Sequence, residues 1–294
     1  MLLCGANGQL GAELRRAAPA WARLEATDRE SLDISHAEAV LRFVERTRPR
    51  LILNAAAYTA VERAEDEREA AFAVNAKGPQ NLARAAAAAG AKLVHVSTDY
   101  VFDGTSRRPY RPQDPVAPLG AYGASKAEGE KALGPHALVI RSSWLYGAHG
   151  ASFVSTMLRL MREREELRVV ADQVGSPTWS RGLAAAIWLG AEHSLTGIHH
   201  YSDAGETTWH GFAVAILEEA RALGMDLRAR RVIPIASSDY PSKVRRPAYS
   251  VLDCSGLVQA LGIALAPWRD NLRRMLSEIR GQSPISWNSG SEPE

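Results

Sequence analysis

Cysteine, lysine and long apolar runs are all scarce in this chain, and each scarcity excludes something. Only Cys4 and Cys254 occur in 294 residues, far apart and without the spacing of a disulfide framework or a thiolate metal site. A reducing cytoplasm is the compartment expected. No apolar run approaches the ~18 residues of a membrane span, and neither a cleavable leader nor an internal repeat is legible. Charge of one sign is lacking too, since 35 basic and 33 acidic residues leave a net charge of +2. The one basic cluster, Arg228, Arg230, Arg231, Lys243, Arg245 and Arg246, has no interleaved aromatics, so the expected partner is a small anionic molecule, with neither nucleic acid nor membrane. His199-His200 has no cysteine or carboxylate at ligand spacing and reads as strand packing, so no metal site is assigned.

Hydrophobic content of 46% with 23% charged residues is ordinary for a globular protein, and the length suits one α/β domain with a smaller lobe. Residues 1–4 read as a short buried strand running into Gly5-Ala6-Asn7-Gly8-Gln9-Leu10-Gly11. Glycines so placed allow a tight turn, close approach of a pyrophosphate to backbone N–H groups, and close packing of the next helix. A second strand over 24–27 ends at Asp28-Arg29, about 20 residues past the glycines, where an acid accepts hydrogen bonds from an adenosine ribose and an arginine pairs with a 2′-phosphate. Both are present, so both nicotinamide dinucleotides stay open, with Arg29 favouring the phosphorylated one.

Further along, Ser35 is expected to cap a helix over 36–47. A third strand, 50–54, runs into Ala55-Ala56-Ala57-Tyr58-Thr59, where small residues let a ligand lie against the backbone. Helices are expected over 62–75 and 79–89, the latter closed by Gly90. The central strand, 92–98, ends in Ser97-Thr98-Asp99-Tyr100 and a long loop, 103–118; an apolar run that stops abruptly in hydroxyls and a carboxylate suits a buried parallel strand opening into a site. A helix over 122–133 and a strand over 137–141 complete the alternation, which predicts a doubly wound parallel sheet. Past residue 150 the rhythm breaks, and a mainly substrate-binding, smaller mixed α/β lobe is expected over 151–280, with room for part of the chain to return to the sheet, and a polar tail at 281–294.

Tyr122 and Lys126 lie four apart and share a helix face. An ammonium beside a phenol favours the phenolate, so the pair reads as a proton-exchanging tyrosine with its pKa drawn down. Thr98, at the strand end upstream, joins them. Trp144, just past the fifth strand, offers an aromatic face for a sugar or base; the other tryptophans considered, Trp179, Trp188, Trp209 and Trp268, read as core or lobe interface.

These residues resemble the extended short-chain dehydrogenase/reductase superfamily: Gly-x-x-Gly-x-x-Gly at 5–11, Asn-Ala-Ala-Ala at 54–57 and Tyr-x-x-x-Lys at 122–126. More narrowly, the stretches 54–65, 97–104, 141–147, 172–178 and 245–250 resemble the dTDP-4-dehydrorhamnose reductase family. The resemblance implies a Rossmann-type domain over 1–150 and reduction of the C4 keto group of dTDP-4-dehydro-β-L-rhamnose by NADPH or NADH, as a monomer or homodimer. It implies Thr98, Tyr122 and Lys126 as catalytic residues. Gly5, Asn7, Gly8, Gln9, Leu10, Asp28, Arg29, Asp33, Ile34, Ala55, Ala56, Ala57, Tyr58, Thr59, Val96, Tyr122 and Lys126 would then hold the dinucleotide, and Thr98, Asp99, Tyr100, Tyr122 and Trp144 the sugar. Arg245 and Arg246 meet either the substrate diphosphate or a salt-bridge partner. Some members form dimers bridged by magnesium through glutamates; Glu13 matches one such position and the others have no match. Two other readings share the fold. A dehydratase or epimerase lacks support, because the glutamate such dehydratases place after Asp99 is Tyr100 here. A non-catalytic partner resembling the methionine adenosyltransferase β subunit would not need the intact Thr98, Tyr122 and Lys126 set.

Overall fold

Six parallel strands make the central sheet: β1 (Leu2–Cys4), β2 (Glu25–Thr27), β3 (Leu51–Asn54), β4 (Lys92–Thr98), β5 (Leu138–Ser142) and the later strand Gly197–Tyr201. Their order is β2-β1-β3-β4-β5 with Gly197–Tyr201 outside β5. This is a Rossmann-like α/β fold. The computed structural model describes residues 1–280, so the expected tail at 281–294 lies outside the described residues.

The strands alternate with helices α1 (Gln9–Arg16), α2 (Ala37–Thr47), the short α3 (Arg63–Asp66) and α4 (Arg68–Phe72), then α5 (Gly78–Ala89) and α6 (Ala121–Lys131). Both faces of the sheet are covered, which is why its strands read as continuous apolar runs. Leu2, Ile52, Leu93 and Val139 pack against α2 and α5; Leu3, Leu53, Val94 and Ile140 pack on the opposite face. The chain leaves β1 toward β2 on one side, and β3 pairs on the other. The crevice beyond the carboxyl ends of β1 and β3 is therefore the topological switch point, where ligands of such sheets bind.

Two expectations need correction. The residue before α2 that takes the cap position is His36, without a side-chain cap bond, because the Ser35 hydroxyl and N–H both bond to Asp33 Oδ1 (2.7 and 2.9 Å). The single helix expected over 62–75 is broken at Glu67 and passes through a π-helical turn, Ala73–Lys77, straight into α5. The wider turn accompanies the inward placement of Asn75, buried in the functional site.

The second lobe contains α7 (Phe153–Glu163), α9 (Trp209–Ala222) and α11 (Trp268–Arg280), with the parallel pair Glu166–Val170 and Arg231–Ile235; α8 (Ser180–Glu192) and α10 (Ser255–Leu261) lie between them in sequence. Its core is built from Met157, Leu158, Phe212, Ile216, Leu272 and Leu276. Leu183 and Ile187 of α8 and Leu257 of α10 instead join the core of the sheet. The chain past residue 150 thus contributes to both layers. Four members of the basic cluster meet acids, in the pairs Arg228–Glu165, Arg231–Glu166, Lys243–Asp66 and Arg246–Glu62. No helix among the described residues is long and apolar enough to cross a membrane.

Candidate active site

The glycine turn after β1 is shaped by close approach. Gly5 has φ +79°, and a Cβ there would fall 2.6 Å from the backbone N of Ala56. A Cβ on Gly11 would lie 2.1 Å from the Gly5 carbonyl oxygen, so α1 seats on the turn only without a side chain there. Gly8 caps α1 with no side-chain bond to its first N–H groups, leaving them free for a phosphate. On the far side of the switch point Ala55 donates to the Cys4 carbonyl (3.0 Å) and Ala56 to Asn54 Oδ1 (3.1 Å). Together these features form a narrow, small-residue cradle that fits a dinucleotide pyrophosphate.

At the end of β2, Asp28 accepts from Asn7 Nδ2 (2.7 Å) and from the Ser31 N–H and hydroxyl. The Ser31 bonds hold its carboxyl below the ordinary range, so it is an ionised acceptor. Arg29 is exposed and only loosely placed against Asp33, at 3.9 Å. Gln9 donates to the Ala151 carbonyl, tying the turn to the chain leaving the first domain. Leu10 and Ile34, implied as cofactor-lining, have their side chains in the core on either face of the sheet.

Thr98, Tyr122 and Lys126, the three residues expected to be catalytic, collect near the end of β4. Thr98 caps a short 3-10 turn, Asp99–Val101, by accepting from the Tyr100 N–H (3.2 Å), and its hydroxyl donates to Asp99 Oδ1 (3.1 Å). Tyr100 and Tyr122 meet edge to face with centroids 5.5 Å apart. Gly123 permits this, since a Cβ would fall 2.2 Å from the Tyr100 carbonyl oxygen. Lys126 is buried and donates to the Val96 carbonyl (2.7 Å). The structure therefore brings Thr98, Asp99, Tyr100, Tyr122, Val96 and Lys126 together.

The electrostatics differ from the sequence expectation. Burial drives the Tyr122 phenol above its ordinary 10, against a Thr98 hydrogen bond that lowers it. Lys126, bonded to Val96 and not to the phenol, does not draw it down. Burial instead lowers Lys126 to about 8, opposed by Glu130. In the ligand-free protein Tyr122 is a protonated acid, the form a reduction needs.

Asp99 is buried, and burial raises it to about 6 against the opposing hydrogen bonds of Ser250 and Thr98. A folded value above the ordinary 3.8 means the folded state binds that proton more tightly, so stability is lost as pH rises from about 4 through about 6. Asp99→Asn is expected to exceed the parent in stability by about 1–3 kcal/mol above about pH 6 and to match it below about pH 4. Urea unfolding at the two pH values checks this; a parent more stable at neutral pH contradicts it.

Three site residues escaped sequence reasoning. Asn75 accepts from the Tyr58 N–H (2.9 Å) and donates to the Tyr58 carbonyl (2.9 Å) and to Ser125 Oγ (3.0 Å), linking the alanine loop to the helix carrying Tyr122 and Lys126. His95 and Asn54 lie behind Lys126. An inward polar residue in an otherwise helical stretch was the only signal for Asn75. Tyr58 itself donates to Glu67 Oε2 (2.7 Å), and Thr59 is exposed. Trp144 has a left-handed backbone, φ 47°, and stacks on Trp209 with centroids 3.6 Å apart. Arg246 takes the salt-bridge alternative, meeting Glu62 at 3.0 Å, while Arg245 is exposed. Glu13 is buried between Arg16 and Arg181, cations that do not suit a magnesium ligand. Among the described residues no group of three or more His, Cys, Asp or Glu could hold a metal ion.

The RmlD substrate binding domain model matches residues 1–280. The chain belongs to that family. It is 43% identical over 287 residues to a dTDP-4-dehydrorhamnose reductase of Burkholderia thailandensis, covering 92% of this chain and 95% of the relative. The Escherichia coli K12 protein of the same name is 40% identical over 291 residues, covering 95% and 97%. Among solved members, the Bacillus anthracis dTDP-4-dehydrorhamnose reductase in complex with NADP superposes with a TM-score of 0.89 at 37% identity, covering 94% and 98%. The Clostridium acetobutylicum protein gives the same TM-score and identity, covering 95% and 99%. A Thermus thermophilus UDP-glucose 4-epimerase, at 22% identity and a TM-score of 0.79, shares the fold. Membership places this chain among nicotinamide-dependent oxidoreductases of nucleotide-sugar metabolism.

Proposed function

We propose that this protein reduces the C4 keto group of dTDP-4-dehydro-β-L-rhamnose to dTDP-L-rhamnose, with NADPH preferred over NADH, in the cytoplasm. One observation carries the reading: Tyr122, edge to face with Tyr100 next to Thr98, stands on the helix that also carries the buried Lys126, at the carboxyl ends of a sheet whose switch point has the small-residue shape a dinucleotide needs. The names of the relatives supply the sugar. Buried free thiols at Cys4 and Cys254 suit a reducing compartment.

The dinucleotide supplies the hydride that reaches C4 of the sugar. The protein's own part is to manage the charge left on O4. Tyr122 transfers its phenolic proton to that oxygen: the tyrosine O–H bond breaks, the O4–H bond forms, and the tyrosine later regains a proton from solvent. The Thr98 hydroxyl stabilises O4 most when it is most negative, which lowers the barrier more than it tightens ground-state binding. Lys126, once it carries a proton, stabilises the phenolate. Asp99 and Tyr100 border the same space, and the Trp144–Trp209 stack offers a flat apolar face for the sugar or base.

Cofactor oxidation assayed with NADPH and NADH across a panel of 4-keto nucleotide sugars tests the proposal. Oxidation with the dTDP-linked 4-keto-rhamnose is expected. Dinucleotide binding without turnover of any 4-keto sugar would overturn the reading and favour a binding-partner role. Arg29→Ala is expected to raise KM for NADPH about tenfold, equivalent to about 1.4 kcal/mol, and to leave NADH unchanged. Equal effects on both cofactors would remove Arg29 as the 2′-phosphate ligand.

A further inference from the structure

His95 is completely buried in the middle of β4, and the reaction as described gives it no task. Its two ring nitrogens face two donors. Nδ1 lies 3.0 Å from Asn54 Nδ2, and Nε2 lies 3.3 Å from Lys126 Nζ. Asn54 cannot be turned over, because its Oδ1 accepts the Ala56 N–H (3.1 Å); a flipped amide would set N–H against N–H there. Nδ1 is therefore the acceptor, and the neutral ring carries its proton on Nε2. That proton points at Lys126 Nζ. An ammonium would again set N–H against N–H, whereas an amine accepts from Nε2–H and still donates to the Val96 carbonyl. Only with an amine are Asn54, His95 and Lys126 all satisfied at once.

We propose that His95 is a positioning residue for the reduction: fixed as the Nε2–H tautomer by Asn54, it turns a donor toward Lys126 Nζ and so weakens the lysine's hold on its proton in the ligand-free protein, a hold restored when an acceptor arrives beside it. The meaning of this for catalysis rests on the reading of Tyr122 and Lys126 given above; the arrangement itself does not.

The surroundings agree. Burial pushes His95 well below its ordinary value, and Lys126 when protonated pushes it the same way, so the ring stays neutral in either state of the lysine. Burial lowers Lys126, and Glu130 on the same helix is the carboxylate that opposes it; Glu130 is itself paired with Arg141 at 2.7 Å. The other elements packed on this helix bring little opposing charge. Asp99 acts on Tyr122, Glu65 accepts the Ala121 N–H (2.6 Å), and the π-helical turn presents the neutral Asn75 to Ser125. The alanine loop, through Ala56, Asn54 and His95 on the adjacent strand, thereby connects the cradle to the charge state of Lys126 on α6.

The chain has only five lysines, at 77, 92, 126, 131 and 243, so a carbon-13 NMR titration of lysine-labelled, ligand-free protein resolves them, with Lys126→Met assigning the signal. Lys126 is expected to titrate about two units below an ordinary lysine. Nitrogen-15 labelling of histidine is expected to show His95 neutral well below the pH at which an ordinary imidazole titrates and, above the Lys126 midpoint, as the Nε2–H tautomer. His95→Gln gives Nζ a carbonyl acceptor, and its Lys126 midpoint is expected to rise by about one unit or more, while His95→Leu, which adds no acceptor, leaves it low. An ordinary Lys126 midpoint in the parent protein, an Nδ1–H tautomer, or a His95→Gln midpoint equal to the parent's each overturns the proposal. The parent measurements decide the matter even if a variant does not fold. None of these readouts needs the sugar, so failure here is separable from failure of the proposed reduction.

Discussion

Tyr122→Phe is expected to lower turnover by about 10²–10⁴-fold, the range for a lost general acid, while dinucleotide binding survives. The size follows from where the hydroxyl stands. It is a protonated phenol held by Thr98 in a buried site, and nearby groups with exchangeable protons are less suited to replace it. Lys126 points at the Val96 carbonyl, and Tyr100 is pushed up to about 12, mainly by burial. Asp99 is the competing donor. Its value near 6 leaves a minor protonated fraction at neutral pH, so residual activity in Tyr122→Phe is expected to rise as pH falls toward 6. The ring itself remains, with its edge-to-face contact to Tyr100, so binding measured by fluorescence or calorimetry should be near that of the parent. Turnover within tenfold of the parent at pH 7 removes Tyr122 as the proton donor.

Arg141→Met is expected to cost about 3–5 kcal/mol of stability, the range for breaking a buried ion pair from one side. Arg141 is 1% exposed. Its Nε and one terminal nitrogen donate to the Glu130 carboxylate (2.9 and 2.7 Å), and the other terminal nitrogen donates to the Pro112 carbonyl (3.2 Å). The guanidinium also lies over the Phe102 ring at 5.1 Å. One side chain on β5 thus fastens the catalytic helix, through Glu130 one turn beyond Lys126, to the long loop at the mouth of the site. Removing it leaves Glu130 charged, buried and unpaired. The double variant Arg141→Met, Glu130→Leu is expected to recover most of the loss, because an apolar pair needs no charge compensation. Denaturant unfolding of the two variants decides it; a single variant within 1 kcal/mol of the parent would show the pair to be dispensable.

The parts of this site legible in the sequence are those fixed by backbone sterics or by local spacing. Gly5 and Gly11 announce a turn only glycine can make, because the atoms they touch lie on the turn itself or on the neighbouring strand end. Tyr122 and Lys126 announce one helix face. What escaped depends on partners distant in sequence. His95 reads as one more residue of a buried strand until Asn54 and Lys126, 41 and 31 residues away, close on its two nitrogens. Asn75 is invisible for the same reason, since its partners belong to the alanine loop and the catalytic helix. The expected lowering of Tyr122 failed because spacing places Lys126 on the right face but says nothing of the Val96 carbonyl that competes for it. Trp209 reads as core or lobe interface, and its stacking on Trp144 depends on the left-handed turn at residue 144 that brings the rings together. Likewise Gly197–Tyr201 carries no mark that it pairs with β5, which a crossover of more than fifty residues conceals.

The most direct measurement is a crystal structure with oxidised dinucleotide and the reduced dTDP-sugar bound together. Tyr122 Oη and Thr98 Oγ1 are expected within hydrogen-bond reach of the sugar O4, with the nicotinamide stacked over C4 and Lys126 turned from Val96 toward the nicotinamide ribose. A sugar whose O4 lies beyond reach of the phenol, or a dinucleotide seated away from the glycine turn, would contradict the reduction at its root.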